Sequence, residues 1–374
     1  MILSDVCEFI VDCPHSTAPD ERKGYPLIRT PNVGKGRLDL NGVHRVSESV
    51  YKQRIQRGAP RANDLIFARE APAGNVALVQ ENQTVCLGQR TVLIRPNVQK
   101  VNPQYLVYYL LSPKPQYELL GTANGATVAH VNLPAIRNLK IELPEKSVQD
   151  KIGTILVSYD DLIENNQKQI KLLEEAAQRL YKEWFVDLRF PGHENTKIVD
   201  GVPEGWSKTN INEILTFHRG YDLTKNEMKA GRYPVVGSTT VIGYHNEFKI
   251  NGPGIVTGRS GSLGKYQFIW DNFWPHNTSL YISDYKDHNI FFVYSLLQTV
   301  DFASLNNGGA IPTLNRNVLS NIEVIEPEKK LQDVFAKIAE PQYQKIRNLE
   351  KQNDRLKTAR DLLLPKLMSG EVEV

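Results

Sequence analysis

The side chains best suited to chemistry in this sequence of 374 residues are polar and cationic groups in short loops. An arginine opens each of two turn-forming stretches, 69-REAPAG-74 and 259-RSGSLG-264, and each arginine follows a short, largely apolar run, 65-LIFA-68 or 255-IVTG-258. An arginine in such a turn can bind a phosphate or form two hydrogen bonds with a guanine edge. It can equally stabilise the end of a strand, while the glycines serve the turn. Both interpretations stay open for these two loops.

A second pair of polar stretches follows them, 88-GQR-90 and 275-PHNT-278, each between predicted strands. Glutamine and asparagine can pair bidentately with adenine, and arginine with guanine, although hydrogen bonding within a loop explains such residues as well. Further candidates come early in each half of the chain. The predicted DNA contacts are Arg29, Arg69, Gln89, Arg90, Arg219, Tyr221, Arg259, Ser260, His276 and Asn277.

Motifs of known catalytic sites are missing from the sequence. The stretch 34-GKGRLD-39 lacks the spacing of a GxxxxGK[ST] phosphate loop, and 102-NPQY-105 is not the Asn-Pro-Pro-aromatic tetrapeptide of adenine methyltransferases. The stretch 19-PDERK-23 has acidic and basic residues like a metal nuclease, but no strand separates its two halves. The three cysteines have no CxxC spacing, and the histidines are scattered. We therefore predict no catalytic residue, no metal site and no cofactor bound by this chain.

Composition places the chain among globular proteins. Hydrophobic residues make up 41% and charged residues 23%, the formal net charge is +3, and the pI is about 8.5. No apolar run approaches the roughly 20 residues of a membrane span, and the first residues lack the basic region of a signal peptide. We expect a cytoplasmic protein of two or three domains that has no contact with membranes.

The chain contains two unequal copies of one unit. Residues 138-NLKIELPEKSVQD-150 match 321-NIEVIEPEKKLQD-333 at an offset of 183, and 105-YLVYYLLS-112 resembles 291-FFVYSLLQ-298 at 186. Residues 65–79 resemble 255–269 at an offset of 190. The order is the same in both copies, so we predict a strand-rich unit with one apolar helix, followed by a long helix, in each half.

Both long helices carry apolar residues with a period of 3.5, which is typical of a coiled coil. The predicted seam residues are Ile152, Leu156, Ile163, Asn166, Ile170 and Leu173 in the first helix, and Leu349, Asn353, Leu356, Leu363 and Leu367 in the second. Each seam contains one asparagine, and a polar seam residue can specify the register. Our hypothesis is an antiparallel pair within the chain that places Asn166 opposite Asn353; the alternative is that both asparagines face solvent.

The whole chain resembles the specificity subunit of type I restriction–modification enzymes. The residues that carry the resemblance are LPEKSVQDKI at the first junction, the GVPEGW, GRSGSLGK and FWPHNTSLY stretches of the second half, and LLPKLMSGE near the end. The resemblance implies a DNA reader without catalytic activity, in which each target-recognition domain reads one half of a bipartite, asymmetric site in double-stranded DNA. It also implies that the helices space the two domains and dock two modification subunits, which carry the adenine methyltransferase, and that restriction subunits join this core. S-adenosylmethionine, ATP and Mg²⁺ would then belong to those partner subunits.

The expected fold class is α+β: two mixed α/β target-recognition domains, with a pseudo-two-fold repeat, separated by two long antiparallel helices that form an intramolecular coiled coil. The expected domains are 1–146 and 206–327 for recognition, 147–190 and 328–374 for the two spacer helices, and 191–205 for a polar linker. A helix from Ile152 to Trp184 would span about 50 Å, which is longer than one turn of DNA. Two other functions stay open: a self-contained DNA-modifying enzyme with an unrecognised active site, and a coiled-coil scaffold with no role on DNA.

Overall fold

A computed structural model describes residues 1–121, 130–259, 264–300 and 322–374. The chain divides into two compact units. Unit 1 comprises Met1–Gln167 and Glu350–Val374, and unit 2 comprises Lys168–Leu349. Two long helices, α5 (Lys146–Tyr181) and α8 (Lys329–Ser369), contribute residues to both units.

Unit 1 is a mixed α/β structure. Its strands are β1 (Cys7–Asp12), β2 (Tyr25–Ile28), β3 (Gly36–Arg37), β4 (Arg45–Val46), β5 (Leu65–Ala68), β6 (Val76–Leu78), β7 (Cys86–Leu87) and β8 (Thr91–Pro96). Its shorter helices are α1 (Glu48–Arg54), α2 (Pro103–Leu111), α3 (Pro113–Gly121) and α4 (Leu133–Arg137). The strands form a five-stranded sheet in the order β1-β8-β5-β6-β3 and a smaller sheet in the order β4-β2-β7.

The central strand β5 is buried on both faces, which explains why the sequence 65-LIFA-68 is continuously apolar. Side chains alternate across a strand, and here Leu65 and Phe67 pack into one hydrophobic cluster with α2. Ile66 and Ala68 pack into a second cluster on the other face. The sheet is therefore held rigidly, and the loops that leave the ends of β5 and β8 have fixed starting points.

Unit 2 repeats this layout. Its strands are β9 (Ile198–Val199), β10 (Val202–Pro203), β11 (Ser207–Asn210), β12 (Thr216–Arg219), β13 (Tyr233–Val236), β14 (Val241–His245), β15 (Gly254–Gly258), β16 (Tyr266–Ile269), β17 (Trp274–Pro275), β18 (Ser279–Asp284) and β19 (Glu323–Glu326), and its shorter helices are α6 (Ile211–Ile214) and α7 (Ile290–Thr299). A sheet β12-β18-β15-β16 corresponds to β1-β8-β5-β6, and a sheet β14-β13-β17 corresponds to β4-β2-β7. The predicted repeat is therefore present in the two folds. The stretch predicted as a linker contains the small hairpin of β9 and β10.

A buried glutamine explains the repeated stretch at the end of each copy. Gln149 and Gln332 are separated by the same offset of 183, and both are almost fully buried. Gln149 Nε2 donates to the Pro144 carbonyl at 2.8 Å, and Gln332 Nε2 donates to the Pro327 carbonyl at 2.9 Å. Each glutamine thus joins the first turn of a long helix to the segment before it, because a buried amide must find a partner.

The asparagine-matched antiparallel register is confirmed. Asn166 Nδ2 donates to Asn353 Oδ1 at 2.9 Å within unit 1, and both residues are 5% exposed. In the same unit Ile152 and Leu367 share one hydrophobic cluster. In unit 2, Ile170 and Leu173 pack in a cluster with Ile346. The helix α8 continues through Pro341 and Pro365 without interruption and ends before Gly370, which has a φ of +76°.

Candidate nucleic-acid interface

In unit 1 the four sequence-predicted contacts lie at one edge of the sheets. Arg69 follows β5, and Gln89 and Arg90 connect β7 to β8, the neighbour of β5. The Arg69 amide donates to the Arg90 carbonyl at 2.9 Å. Arg29 follows β2, and the Gly88 amide donates to the Ile28 carbonyl at 2.7 Å. The fold therefore brings together candidates as far apart in the sequence as Arg29 and Arg90, which are separated by 61 positions.

The Arg69 guanidinium is engaged inside the unit. Its Nη1 donates to Asp12 Oδ2 at 2.7 Å, its Nε donates to the Val131 carbonyl at 2.9 Å, and its Nη2 lies 2.7 Å from His130 Nε2. The Arg69 side chain is only 11% exposed. Three of its five N–H donors are therefore used within the unit, and the guanidinium presents little surface to a base. The geometry therefore favours the second interpretation of Arg69, a residue that holds the strand end in place, over a DNA contact.

Arg90 is an accessible cation at this edge. Its side chain is 62% exposed, and its Nη1 lies 2.8 Å from Glu70 Oε2. Glu70 also contacts His130 Nδ1, so the same carboxylate joins Arg90 to the network around Arg69. The Arg90 backbone has a φ of +64°, the left-handed region, which turns its side chain out of the strand that begins at Thr91.

Gln89 and Arg29 flank Gly88. Gln89 Nε2 donates to the His15 carbonyl at 2.8 Å, and the bond is exposed to solvent. The Arg29 side chain packs against Gly88, where an added Cβ would lie 2.9 Å from Arg29 Cγ. Arg29 Nε is buried and has no hydrogen-bond partner among the described residues. A buried donor without a partner costs about 1–3 kcal/mol, so Arg29 is a group for which a ligand acceptor would be favourable.

Unit 2 assembles its candidates at the corresponding edge. The Tyr221 amide donates to the Pro275 carbonyl at 2.8 Å, and the Arg259 amide donates to the Thr278 carbonyl at 3.2 Å. An added Cβ at Gly220 would lie 2.1 Å from the His276 carbonyl oxygen, so the loop from Arg219 to Tyr221 touches the loop of His276 and Asn277. Ser260, the remaining candidate, lies outside the described residues.

The polar contacts of this edge differ from those of unit 1. His276 Nε2 lies 3.2 Å from the Leu223 carbonyl, which can only accept, so this nitrogen carries the proton. Asn277 Nδ2 donates to Asp222 Oδ1, and Tyr221 and Tyr281 join their hydroxyl groups at 2.9 Å. Burial raises the pKa of Tyr281, so its hydroxyl stays protonated at neutral pH.

An aromatic and cationic group that sequence reasoning missed lies beside Tyr221. Lys249 Nζ lies 4.8 Å from the Trp274 ring centroid and 5.9 Å from the Tyr221 ring centroid. The His218 ring stacks near Tyr221, with centroids 6.1 Å apart. Sequence reasoning also missed Asp12, Glu70 and His130 in unit 1. The ion pair of Asp12 with Arg69 joins residues 57 positions apart, and no spacing motif signals such a pair.

Two observations on the described residues concern thiol and metal chemistry. Burial raises the pKa of the Cys86 thiol to about 11, so this cysteine is protonated at neutral pH and is not a nucleophile. In the described ranges, no three histidine, cysteine, aspartate or glutamate side chains are grouped to hold a metal ion. The helices of the described part of the chain are all too short or too polar to cross a membrane.

Comparisons with known proteins found a matching family model, similar sequences and a similar fold. The family model described as "Type I restriction modification DNA specificity domain" matches residues 1–175 and 203–358. The MjaIX specificity subunit of Methanocaldococcus jannaschii is 28% identical over 364 residues, which cover 89% of this chain and 83% of that protein. The HindI specificity subunit of Haemophilus influenzae is 20% identical over 401 residues, covering 84% and 87%. The crystal structure of a type I restriction–modification S subunit from M. genitalium superposes with a TM-score of 0.61 at 18% identity, covering 98% and 95%, and shows the fold alone.

Proposed function

This chain belongs to the family of type I restriction–modification specificity subunits, which recognise DNA for such systems, and we propose that its two units read the two halves of a bipartite, asymmetric DNA site. One observation carries this proposal. The two units place polar side chains on equivalent loops at the same edge of equivalent sheets, but with different residues. Gln89 of unit 1 follows β7, which pairs with β2, and Asn277 of unit 2 follows β17, which pairs with β13.

The chemistry of these loops suits DNA. Gln89 and Asn277 have the amide geometry that pairs with adenine, and Arg90 has the exposed guanidinium that pairs with guanine or phosphate. Phosphate contacts position a protein on DNA, and base-edge contacts specify the sequence. Because Gln89 and Arg90 of unit 1 correspond to Asn277 and Thr278 of unit 2, the two half-sites should have different sequences.

The remaining functions are expected of partner subunits. We propose that two modification subunits dock on the spacer helices and supply the adenine methyltransferase with its S-adenosylmethionine. Restriction subunits would add the ATP- and Mg²⁺-dependent nuclease. This chain would contribute no catalytic residue, and the expected cytoplasmic location stays a prediction from the sequence.

Methylation-site sequencing tests the proposal. A cell that carries the chain with its modification subunits should methylate one bipartite sequence, with two different half-sites separated by bases of any identity. A continuous or palindromic methylated sequence would contradict the assignment of one half-site to each unit.

Two assays on the purified chain separate the alternatives. A self-contained modifying enzyme would methylate or cleave duplex DNA without partners, whereas the proposed reader does neither. A coiled-coil scaffold would not bind duplex DNA at all. The proposed reader binds it, and its affinity falls steeply with salt because binding releases counterions from the phosphates.

A further inference from the structure

The strand registers identify which residues of the two units occupy the same place. In unit 1, β1 pairs with β8 so that Asp12 lies opposite Val92; in unit 2, β12 pairs with β18 so that Arg219 lies opposite Leu280. The next amides make the same bond in both units: Cys13 N donates to the Thr91 carbonyl, and Gly220 N donates to the Ser279 carbonyl, each at 3.1 Å. Arg219 therefore stands where unit 1 has Asp12.

Arg259 stands where unit 1 has Arg69. Arg69 follows β5, which pairs with β8, and Arg259 follows β15, which pairs with β18. The backbone amide of each arginine donates to the loop that precedes β8 or β18. The acceptors are the Arg90 carbonyl for Arg69 and the Thr278 carbonyl for Arg259. The same two positions thus hold an aspartate and an arginine in unit 1, and two arginines in unit 2.

The change from Asp12 in unit 1 to Arg219 in unit 2 inverts the charge at that position. In unit 1 the Asp12 carboxylate neutralises Arg69, and both side chains are largely buried, at 16% and 11% exposure. In unit 2 Arg219 is exposed and Arg259 half-buried, and neither forms an ion pair with any residue in the described ranges. The nearby carboxylate of Asp222 accepts a hydrogen bond from Asn277. Lys249 lies over the aromatic rings of the same edge and adds a third cation.

Arg219 ends β12 and Arg259 follows β15, the two strands that flank β18, and like charges on the same edge of a sheet repel each other unless an anion lies between or beside them. Arginine binds phosphate through planar, charge-assisted hydrogen bonds. Resting on the proposed function, we propose that Arg219 and Arg259 bind the DNA backbone phosphates beside the half-site of unit 2. The equivalent position of unit 1 is closed by the pair of Asp12 with Arg69 and makes no such contact.

The salt dependence of DNA binding by the full chain tests this inference. The probe is a fluorescently labelled duplex of random sequence, and the affinity is measured by anisotropy from about 50 to 200 mM KCl. Arg219→Ala and Arg259→Ala should each reduce the slope of log affinity against log salt by about 1, with unchanged melting temperature. Lys351→Ala, which removes an exposed cation of α8, is the matched control and should keep the slope.

A double-mutant cycle tests whether a carboxylate at this position closes it. In an Arg219→Asn chain, adding Arg259→Ala should still reduce the slope by about 1. In an Arg219→Asp chain, the introduced carboxylate pairs with Arg259 as Asp12 pairs with Arg69, so adding Arg259→Ala should change the slope little. Equal losses in both backgrounds would overturn the closing role of the carboxylate.

The outcomes separate this inference from the function on which it rests. A wild-type chain without salt-dependent binding would contradict the proposed function itself. A wild-type chain that binds with a steep slope, and whose slope survives both arginine substitutions, would overturn only the phosphate contact. An Arg69→Gln chain that still unfolds cooperatively should keep the wild-type slope, and a loss of about 1 there would overturn the closure of unit 1.

Discussion

In the two units, equivalent positions of the long helices bond to the shorter apolar helix with different chemistry. In unit 1, Tyr108 on α2 donates to Asp160 Oδ2 at 2.5 Å, and Asp160 Oδ1 accepts a hydrogen bond from Arg360. In unit 2, the matching contact is neutral: Ser295 on α7 and Tyr343 on α8 join their hydroxyl groups at 3.1 Å. The offset of 183 relates Asp160 to Tyr343 and Ala177 to Arg360.

This comparison shows what the repeat keeps and what it changes. The long-helix position that holds Asp160 in unit 1 holds Tyr343 in unit 2, and each of these residues bonds to a hydroxyl group of the shorter helix. The charge differs, because Arg360 of unit 1 corresponds to Ala177, which is fully buried in unit 2. The loops at the ends of the sheets show the same contrast, with the ion pair of Asp12 and Arg69 in unit 1 and, among the described residues, two arginines without an ion pair in unit 2.

The largest expected effect comes from breaking the buried ion pair of unit 1. Asp160 and Arg360 have side chains that are 3% and 11% exposed. Asp160→Ala removes a buried acceptor of Tyr108 and leaves Arg360 paired with the more exposed Asp361, and it should lower the free energy of unfolding by about 3 kcal/mol, measured by urea denaturation. The matched substitution in unit 2, Tyr343→Phe, removes one neutral hydrogen bond and should cost about 1 kcal/mol. Equal costs would show that the two attachments do not differ in the way that their charges indicate.

Replacing Arg69 and replacing Arg259 should change the free energy of unfolding by amounts that differ almost as much. Arg69→Ala removes the ion-pair partner of the largely buried Asp12 and the donor to the Val131 carbonyl, and it should lower the free energy of unfolding by about 3 kcal/mol. Arg259→Ala should change it by less than about 0.5 kcal/mol, because surface substitutions without such partners usually do. Thermal unfolding of both variants measures the difference. A destabilised Arg259→Ala chain would mean that this arginine also supports its strand.

Loss of the amide readers should affect one half-site each. Gln89→Ala should relax discrimination at one base pair of the half-site read by unit 1, and Asn277→Ala at one base pair of the other, each by about 1–3 kcal/mol. Competition between duplexes with single base changes measures this effect, once methylation sequencing has identified the site. A substitution that weakened binding to every duplex equally would identify its residue as a backbone contact instead.

Alkaline pH should reveal a smaller difference in folding stability between the units. All three cysteines of the sequence lie in unit 1, and burial raises the pKa of Cys86 from 9.0 to about 11 and of Cys7 to about 12. A raised pKa in the folded state means that folding retains the proton, so this stability is present below pH 9 and is lost as the pH rises toward the folded values. Unit 2 loses stability only from about pH 10, where unfolded tyrosines ionise.

Limited proteolysis with mass spectrometry can follow the two units separately between about pH 8 and 10.5. Unit 1 should become sensitive to cleavage first, and Cys86→Ala should reduce the pH dependence of that sensitivity. If both units opened at the same pH, with or without Cys86, the buried thiols would not be the cause.

The helix pair was largely predictable from the sequence. A period of 3.5 residues depends only on neighbours along one helix, and matching Asn166 to Asn353 was enough to predict the register. Before Leu349 the apolar period of the second helix is irregular around Pro341, and the structure gives the reason: Phe335, Ala336 and Ala339 pack into the core of unit 2. In that segment the apolar face of α8 packs against a sheet and helices of unit 2, and not only against the other long helix.

The loops that carry the candidate residues could be identified from the sequence, but the hydrogen bonds and ion pairs of these residues could not. Loops that follow paired strands meet at one edge, so Arg69 and Arg90 could be placed near each other from the strand pattern. The partner of Arg69 could not be identified, because Asp12 reaches it only through the pairing of β1, β8 and β5. Likewise, Arg219 corresponds to Asp12 only in the strand register, since the early parts of the two copies differ too much in sequence to align.

The most direct test of the central claim exchanges one unit's recognition segment. Residues 1–146 are replaced by the corresponding segment of another specificity subunit, and the methylated sites are determined in cells that carry the modification subunits. The half-site read by unit 1 should change to that of the donor, while the other half-site and its dependence on Asn277 stay the same. A change in both half-sites, or in neither, would contradict independent reading by the two units.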